Sequence, residues 1–219
     1  NEMSDGRFRL GLGVSHGPVT ERLGVETGKP LADTSAYVAA MRANERFGGQ
    51  LPPIYLATLR NKMLQLATDI SEGAIWANAS LSHMSQQLSE IPNAVRDDFF
   101  LANMIPTVID DDVEAARAVN RRTLTGYVSL PNYRNYWRAA GYTEEMDAIE
   151  SAIEAGNKDI LPSLMSDKWL DDNTISGSAS HVRARFEEWA HAGVTPIAVM
   201  SSTTGGQVKA INQLFDVYN

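Results

Sequence analysis

The sequence predicts an α/β fold whose parallel sheet is built from repeated strand-helix units. Short apolar stretches alternate along the chain with segments whose apolar residues recur at helical spacing, and no β-hairpin signal separates them. The 219 residues are 43% hydrophobic and 21% charged, which are ordinary proportions for a globular domain. Repeated units of this kind imply parallel strands joined by right-handed crossovers. By pattern alone, an open doubly wound sheet and a closed barrel both remain candidates.

Five strands are predicted, each followed by a helix. The first, residues 8–14, alternates large apolar residues with glycine or arginine, so one of its faces is small enough for a backbone or a ligand to approach closely. The other four strands are short apolar runs at residues 53–57, 74–77, 99–109 and 194–200.

The helices are predicted from apolar stripes and from end signals. A helix over 34–47 ends at Gly48 and Gly49, which are a stop signal. Acids from Asp110 onward open another helix, because the macrodipole favours them in a first turn. Ser178 is the predicted N-cap of a helix that runs to about residue 192. The remaining predicted helices cover 60–70, 81–91 and a segment after residue 206.

A single, partial domain is predicted over residues 1–219, with an inserted and mostly helical region at about 125–175. This stretch interrupts the strand-helix rhythm and is rich in Tyr, Trp and Asn. Its aromatic residues are interpreted mainly as packing, with a substrate pocket as the alternative. These residues are Tyr127, Tyr133, Tyr136 and Trp137.

Composition and charge exclude several classes of function. The net charge of −8 and the absence of a Lys/Arg-rich run argue against a nucleic-acid partner. The sequence has no cysteine, which removes disulfides, thiolate metal sites and cysteine nucleophiles together. No apolar run approaches the roughly 20 residues that cross a bilayer. We therefore expect a cytoplasmic protein with no membrane partner.

Four segments resemble, in order, the luciferase-like monooxygenase superfamily, and especially its branch that uses the deazaflavin coenzyme F420. Residues 5–16 (DGRFRLGLGVSH) resemble the fourth strand of that family, and residues 53–75 resemble its fifth strand and helix. Residues 110–117 match the helix after strand seven, and residues 176–196 match the helix and turn before strand eight. The resemblance is collinear from about residue 5 to residue 206.

The resemblance implies a (β/α)8 TIM barrel of the bacterial-luciferase-like type, of which this chain supplies strands 4 to 8. Three further strand-helix units, about 90 residues at about 30 per unit, are then expected ahead of Asn1. A sheet of five barrel strands leaves two edges and part of the interior exposed. We therefore expect the chain either to associate with itself or a partner or to be a portion of a larger ordered protein, and the resemblance implies a homodimer.

The function that the resemblance implies is an oxidoreductase that transfers a hydride between coenzyme F420 and a small organic substrate. One alternative is an FMN-dependent luciferase-like monooxygenase, since both groups of enzymes share a phosphate-binding turn. The other is a non-catalytic flavin-binding derivative of the barrel.

Val14, Ser15 and His16 lie at the C-terminal end of the first predicted strand, where barrel active sites are built. The resemblance implies that this turn contacts the isoalloxazine-like ring and its ribityl chain. The alternative is a tight turn that needs small residues. The glycine spacing G-x-G-x-x-x-G does not fit the dinucleotide-binding fingerprint.

Ala57, Thr58, Leu59 and Arg60 lie between a predicted strand and the helix after it. Free amides at a helix N-terminus bind anions, and Thr58 and Arg60 add a hydroxyl and a cation. The resemblance implies that this turn holds the cofactor phosphate, although Arg60 and Asn61 replace the usual Gly-Pro of the family. The alternative is ordinary helix capping by Thr58.

Asn78 and Ser80 follow the third predicted strand and are interpreted as polar neighbours of the cofactor tail, with helix capping as the alternative for Ser80. Trp76 is predicted to pack in the core. In several relatives the acid and base residues come from the first two barrel strands, so the catalytic residues remain unidentified here, with His16 as the one candidate.

The other three histidines fall in helical patterns, where surface or capping roles are expected; they are His83, His181 and His191. No pair of histidines has metal-ligand spacing with a supporting acid, and no metal site is predicted.

Overall fold

The computed structural model describes residues 2–218, so Asn1 and Asn219 lie outside the described residues. In the described part the strands are β1 (Leu10–Leu12), β2 (Ile54–Ala57), β3 (Gly73–Ala77), β4 (Phe100–Ile109), β5 (Ile175–Gly177) and β6 (Thr195–Val199). The α-helices are α1 (Gly17–Arg22), α2 (Pro30–Ala43), α3 (Glu45–Gly48), α4 (Asn61–Ile70), α5 (Leu81–Ser89), α6 (Asn93–Arg96), α7 (Val113–Val128), α8 (Pro131–Ala139), α9 (Thr143–Glu154), α10 (Asp167–Asn173), α11 (Ala179–His191) and α12 (Gln207–Asp216). Two 3-10 helices cover Glu2–Ser4 and Lys158–Leu164.

The contacts between residues divide the chain into two compact units. The first unit comprises Asn1–Ala77 and Gln86–Ala102, and the second comprises Asn78–Ser85 and Asn103–Asn219. Each unit has its own strands and its own buried residues, and each is described by itself below. One partial domain over residues 1–219, with an insertion at about 125–175, stays a prediction.

The strands of the first unit pair in parallel, as the sequence predicts. β1 pairs with β2 over three residue pairs that end at Leu12 and Leu56, and β2 pairs with β3 as far as Ala57 and Ile75. Because parallel strands end at the same edge of a sheet, the turns that follow β1 and β2 are neighbours.

The core of the first unit lies between the β2–β3 pair and helix α4. Leu64 and Ala67, at the fourth and seventh positions of α4, are fully buried, while Gln65 between them is exposed. Leu56 of β2 and Trp76 of β3 are also fully buried. The predicted core role of Trp76 is therefore confirmed.

Gly73 begins β3 at a point where no side chain fits. A Cβ atom at this position would lie 2.5 Å from the carbonyl oxygen of Phe100 and 2.9 Å from the Tyr55 ring. The rings of Tyr55 and Phe100 stack beside it with their centroids 4.7 Å apart. Glycine at the start of β3 thus permits a close contact between neighbouring strands.

In the second unit, β4 pairs with β5 in parallel and also pairs with β6. Strand β5 corrects the sequence analysis, which predicts no strand between residues 109 and 194. It is only three residues long, so neither a period of two nor an apolar run can mark it. Its place in the sheet depends on pairing with Thr107 and the two residues after it.

A cluster of aromatic residues forms much of the core of the second unit. The rings of Trp137 on α8 and Trp169 on α10 meet edge to face, with centroids 4.8 Å apart, and the Tyr133 ring lies 5.4 Å from that of Trp137. Of the four aromatic residues interpreted as packing, Tyr133, Tyr136 and Trp137 are buried, and Tyr127 is half-buried with its ring 5.0 Å from that of Tyr133. The region consists largely of helices α7 to α10.

Two predicted helix starts are confirmed in the second unit. The Asp112 carboxylate caps α7 by accepting from the backbone N–H groups of Glu114 and Ala115, each at 3.1 Å. The Ser178 hydroxyl caps α11 by accepting from the backbone N–H of His181 at 3.3 Å. Both caps satisfy amides that a helix N-terminus otherwise leaves unpaired.

The segment between the predicted strand 8–14 and the predicted helix 34–47 differs from the prediction. It contains helix α1, and α2 begins at Pro30 instead of Thr34. Pro30 occupies the first turn of α2, where its fixed φ suits a helix and its missing N–H costs nothing. The predicted helix over 34–47 is also interrupted, because Asn44 ends α2 and a separate short helix follows.

Candidate functional site

The turn after β1 holds Val14, Ser15 and His16 in the first unit. Val14 and Ser15 are exposed and His16 is half-buried. Ser15 has a φ of 61°, in the left-handed region that non-glycine residues rarely adopt. His16 then precedes α1, and its carbonyl accepts from the N–H of Val19 at 2.9 Å. The chain therefore turns sharply at Ser15, and such strained residues cluster at functional sites.

The turn after β2 holds Ala57, Thr58, Leu59 and Arg60. The backbone N–H of Thr58 donates to the carbonyl of Ile75 at 2.9 Å, which extends the β2–β3 ladder into the turn. The Thr58 hydroxyl is buried and has no hydrogen-bond partner among the described residues. A buried hydroxyl without a partner is costly, so its presence here calls for an explanation.

Helix α4 begins directly after this turn with no side-chain cap among the described residues. Arg60 stands at the N-cap position with extended backbone, and its side chain is exposed. The first turn of α4 carries Lys62 and no acid. The alternative interpretation of Thr58 as the cap of this helix is therefore wrong. The N-terminal amides of α4 are left for an anion, water or a ligand to satisfy.

The two turns lie side by side. A Cβ atom built on Gly13 would lie 3.1 Å from the Cβ of Ala57, which is closer than most contacts of that kind. The register of β1 and β2, with Leu12 opposite Leu56, places the two turns at the same sheet edge. The structure thus brings together the predicted site residues of both turns.

Gln87 of α5 hydrogen-bonds to the backbone of the turn after β2. Its Nε2 donates to the carbonyl of Leu59 at 3.0 Å, and the Gln87 side chain is almost fully buried. This contact fixes the backbone of the turn just before the uncapped end of α4. Gln87 is not among the predicted site residues, because a glutamine in a helix gives no local sequence signal of such a role.

A cavity of about 400 Å³ opens beside the turn after β1. Its wall is made by residues 12–17 together with Thr20, Thr27, Gly28, Pro30, Asp33, Thr34 and Tyr37. The volume lies within the range of small-molecule sites. The part of the wall contributed by α1 and α2 is not predicted from the sequence, although Pro30 before an apolar stripe is a signal for a helix start.

Asn78 and Ser80 belong to the second unit, where each is buried in a network of polar contacts. The Asn78 carbonyl accepts from Trp137 Nε1 at 3.2 Å, and the Ser80 hydroxyl donates to Asn173 Oδ1 at 2.7 Å. The Ser80 N–H donates to the Tyr136 hydroxyl at 3.0 Å. Asn78 has a φ of 58°, and its side-chain Nδ2 has no partner among the described residues. The Ser80 hydroxyl thus bonds a side chain of α10.

The remaining histidines lie in helices, as predicted. His83 on α5 is half-buried, with its ring edge-on to that of Tyr136 at 5.7 Å. His181 and His191 lie exposed on α11. Within residues 2–218, no three His, Asp or Glu side chains lie together as a metal site would require. No helix of the described chain is both long enough and apolar enough to span a bilayer.

A curated relative of this chain is a protein of Mycobacterium tuberculosis that is named as a coenzyme F420-dependent oxidoreductase. It is 28% identical over 98% of this chain and 74% of its own length. A second relative is the 5,10-methylenetetrahydromethanopterin reductase of Archaeoglobus fulgidus, which is 25% identical over 96% of this chain and 72% of its own length.

Solved structures share the fold at lower sequence identity. The coenzyme F420-dependent tetrahydromethanopterin reductase of Methanopyrus kandleri superposes with a TM-score of 0.74 at 18% identity, over 97% of this chain and 73% of that one. An F420-dependent secondary alcohol dehydrogenase, solved with an F420-acetone adduct, gives 0.65 at 16% identity, over 97% and 69%. The likeness confirms the predicted fold class, α/β with a parallel sheet of the TIM-barrel type.

The matched region extends along most of the sequence. The family model described as luciferase-like monooxygenase matches residues 1–196, which include both strand-end turns and the cavity beside them. The chain belongs to the luciferase-like monooxygenase family.

Proposed function

We propose that this chain is an oxidoreductase that transfers a hydride between coenzyme F420 and a small organic substrate. The names of its relatives support the cofactor, since F420 appears in those of the mycobacterial protein and both solved structures. Within the first unit, the turn after β2 binds the cofactor phosphate and the turn after β1 contacts the ring. Asn78 and Ser80 remain proposed neighbours of the cofactor tail.

The main support for the proposal is the set of hydrogen-bond donors in the turn between β2 and α4 that are unpaired within the described chain. It combines a buried hydroxyl without a partner at Thr58, an exposed guanidinium at Arg60 and an uncapped helix start. A phosphate group would accept hydrogen bonds from all three. The residues present therefore fit the phosphate of the coenzyme, even though Arg60 and Asn61 stand where the family has Gly-Pro.

The turn after β1 supplies the second half of the proposed cofactor site. Gly13 allows the two turns to approach within side-chain contact, and Ser15 holds the strained backbone that exposes Val14. Small residues at this edge leave room for a flat ring system beside the cavity. The alternative of a purely structural tight turn predicts no loss of cofactor affinity when Val14 or Ser15 is changed.

Coenzyme F420 supplies the two-electron hydride chemistry, and the protein supplies binding, orientation and protection from water. Val14, Leu12 and Tyr37 give the cavity apolar walls beside the turn. His16 borders the same cavity and is the proposed group for moving a proton to or from the substrate at an imidazole nitrogen.

The proposal is tested by the affinity of purified Arg60→Ala for F420, measured by fluorescence. Loss of a charge-assisted contact to phosphate is expected to weaken binding by about tenfold or more. The same variant should bind the deazaflavin chromophore that lacks the phosphate as well as the parent protein does. Arg183→Ala, an exposed arginine on α11, is the matched control and should change neither affinity.

Thr58→Val separates a binding role from a structural one. Its hydroxyl makes no hydrogen bond within the described chain, so its removal should leave the free energy of unfolding unchanged or slightly higher. F420 affinity should nevertheless fall. Equal F420 affinity in the parent, Arg60→Ala and Thr58→Val proteins would contradict the assignment of this turn to the phosphate.

A further inference from the structure

The cavity beside the turn after β1 has an uneven distribution of charge. Asp33, on the first turn of α2, lines it. Among the described lining residues none is Lys or Arg. Leu12, Val14 and Pro30 provide apolar surface, and Thr34 adds a hydroxyl. The cavity therefore offers an apolar body with an acidic group at its wall.

The Asp33 carboxylate is held in place by the backbone opposite. Its Oδ2 accepts a hydrogen bond from the N–H of Gly28 at 2.9 Å. A Cβ atom at Gly28 would lie 2.7 Å from Asp33 Oδ1, so the carboxylate packs against Gly28 in space that any side chain at that position would occupy. One oxygen is thus committed to the backbone, and Oδ1 has no further hydrogen bond or ion pair within the described chain.

The basic residue nearest in sequence does not cancel this charge. Lys29 lies between Gly28 and Pro30, but it is exposed and is not part of the cavity wall. No ion pair joins Lys29 and Asp33 among residues 2–218. An acid beside an apolar cavity raises the local concentration of cations and disfavours anions.

We propose that this cavity binds a neutral or cationic organic molecule that presents a hydroxyl or ammonium group to Asp33, and that it rejects carboxylates. Asp33 is then a specificity-determining residue that accepts a hydrogen bond from the ligand. The identification of this ligand as the substrate rests on the proposed function. The charge preference of the cavity is independent of the proposed function.

The test compares three probes of one shape and different charge, namely benzylammonium, benzyl alcohol and benzoate. Binding to the purified full chain, without cofactor, is followed by NMR through the backbone amides of Gly28 and Thr34. Benzylammonium is expected to bind about tenfold more tightly than benzoate, with benzyl alcohol between them. A larger ratio is not expected, because Asp33 is open to solvent.

Two variants locate the effect at the carboxylate. Asp33→Asn should bring the ratio of benzylammonium to benzoate affinity close to one. Gly28→Ala keeps the acid but displaces its carboxylate from the position that it occupies against Gly28, so it should change the ratio as well. Glu26→Gln removes a neighbouring exposed acid outside the wall and should leave the ratio unchanged.

Benzoate binding equal to or tighter than benzylammonium would overturn the inference, as would an unchanged ratio in Asp33→Asn. Failure of every probe to shift the Gly28 and Thr34 amides would also overturn it. The unmodified protein and Gly28→Ala still decide the matter if Asp33→Asn does not fold. F420 affinity is measured separately, so an intact charge preference without F420 binding would reject only the proposed function.

Discussion

Partial burial of the His83 imidazole couples its protonation to the free energy of unfolding. Burial lowers the pKa of its imidazole below the ordinary value of 6.5, and Asp172 opposes this with a smaller effect. The ring also meets that of Tyr136 edge-on. Because the folded protein holds His83 neutral, the unfolded chain binds its proton first as the pH falls.

The free energy of unfolding is therefore expected to decrease as the pH falls from 7 through 6.5 toward the lowered pKa of His83, and this part of the decrease should level off below that pKa. His83→Gln should lose this part of the slope, whereas His181→Gln, exposed on α11, should keep it. Urea unfolding at pH 7, 6 and 5 measures the difference. An identical pH slope in His83→Gln and the parent would show that burial of His83 has no such effect.

At the residue scale, the sequence predicts those site residues that directly follow strands. Val14, Thr58 and Arg60 are found at strand ends because parallel strands deliver their following residues to one edge. Asp33 is missed because α2 begins at Pro30, whereas the helix predicted from the sequence begins only at Thr34. The missing hydrogen-bond partner of Thr58 cannot be read from sequence, since it depends on which donors and acceptors the fold brings near.

Strand β3 depends on glycine at its first position. Gly73→Ala would place a Cβ atom against the backbone oxygen of Phe100, which cannot move without disturbing the strand contact. The free energy of unfolding is expected to fall by about 2 to 3 kcal/mol. Chemical denaturation measures this loss.

Gly126→Ala is the matched control on α7. A Cβ atom there meets nothing within 4 Å, and alanine is the better helix former, so stability should rise by about 0.5 to 1 kcal/mol. A Gly73→Ala protein as stable as the parent would mean that β3 and Phe100 do not approach as closely as the structure has them.

At the element scale, long and strongly patterned segments are predicted well. The predicted strand 53–57 and helix 60–70 differ from β2 and α4 by one residue at their starts. β5 is missed because three residues carry no period, and α1 is missed because a six-residue helix within a Gly- and Pro-rich segment resembles a loop. Such elements are fixed by tertiary contacts rather than by local pattern.

At the scale of the whole molecule, strand-helix repetition predicts a parallel α/β fold but does not distinguish a closed barrel from an open sheet. The collinear resemblance of four segments decides between them, and the likeness to the Methanopyrus kandleri reductase confirms that choice. Self-association as a homodimer and a cytoplasmic location stay predictions. They depend on surfaces and segments that neither the pattern nor the fold of these residues determines.

The central claim, that this chain is an F420-dependent oxidoreductase, is tested most directly by fluorescence titration of the purified protein with F420 and, separately, with FMN. We predict saturable binding of F420 and at least about tenfold weaker binding of FMN, a difference of about 1.4 kcal/mol. Preference for FMN would favour the monooxygenase or the flavin-binding alternative. Binding of neither compound would leave the fold intact and contradict the proposed function.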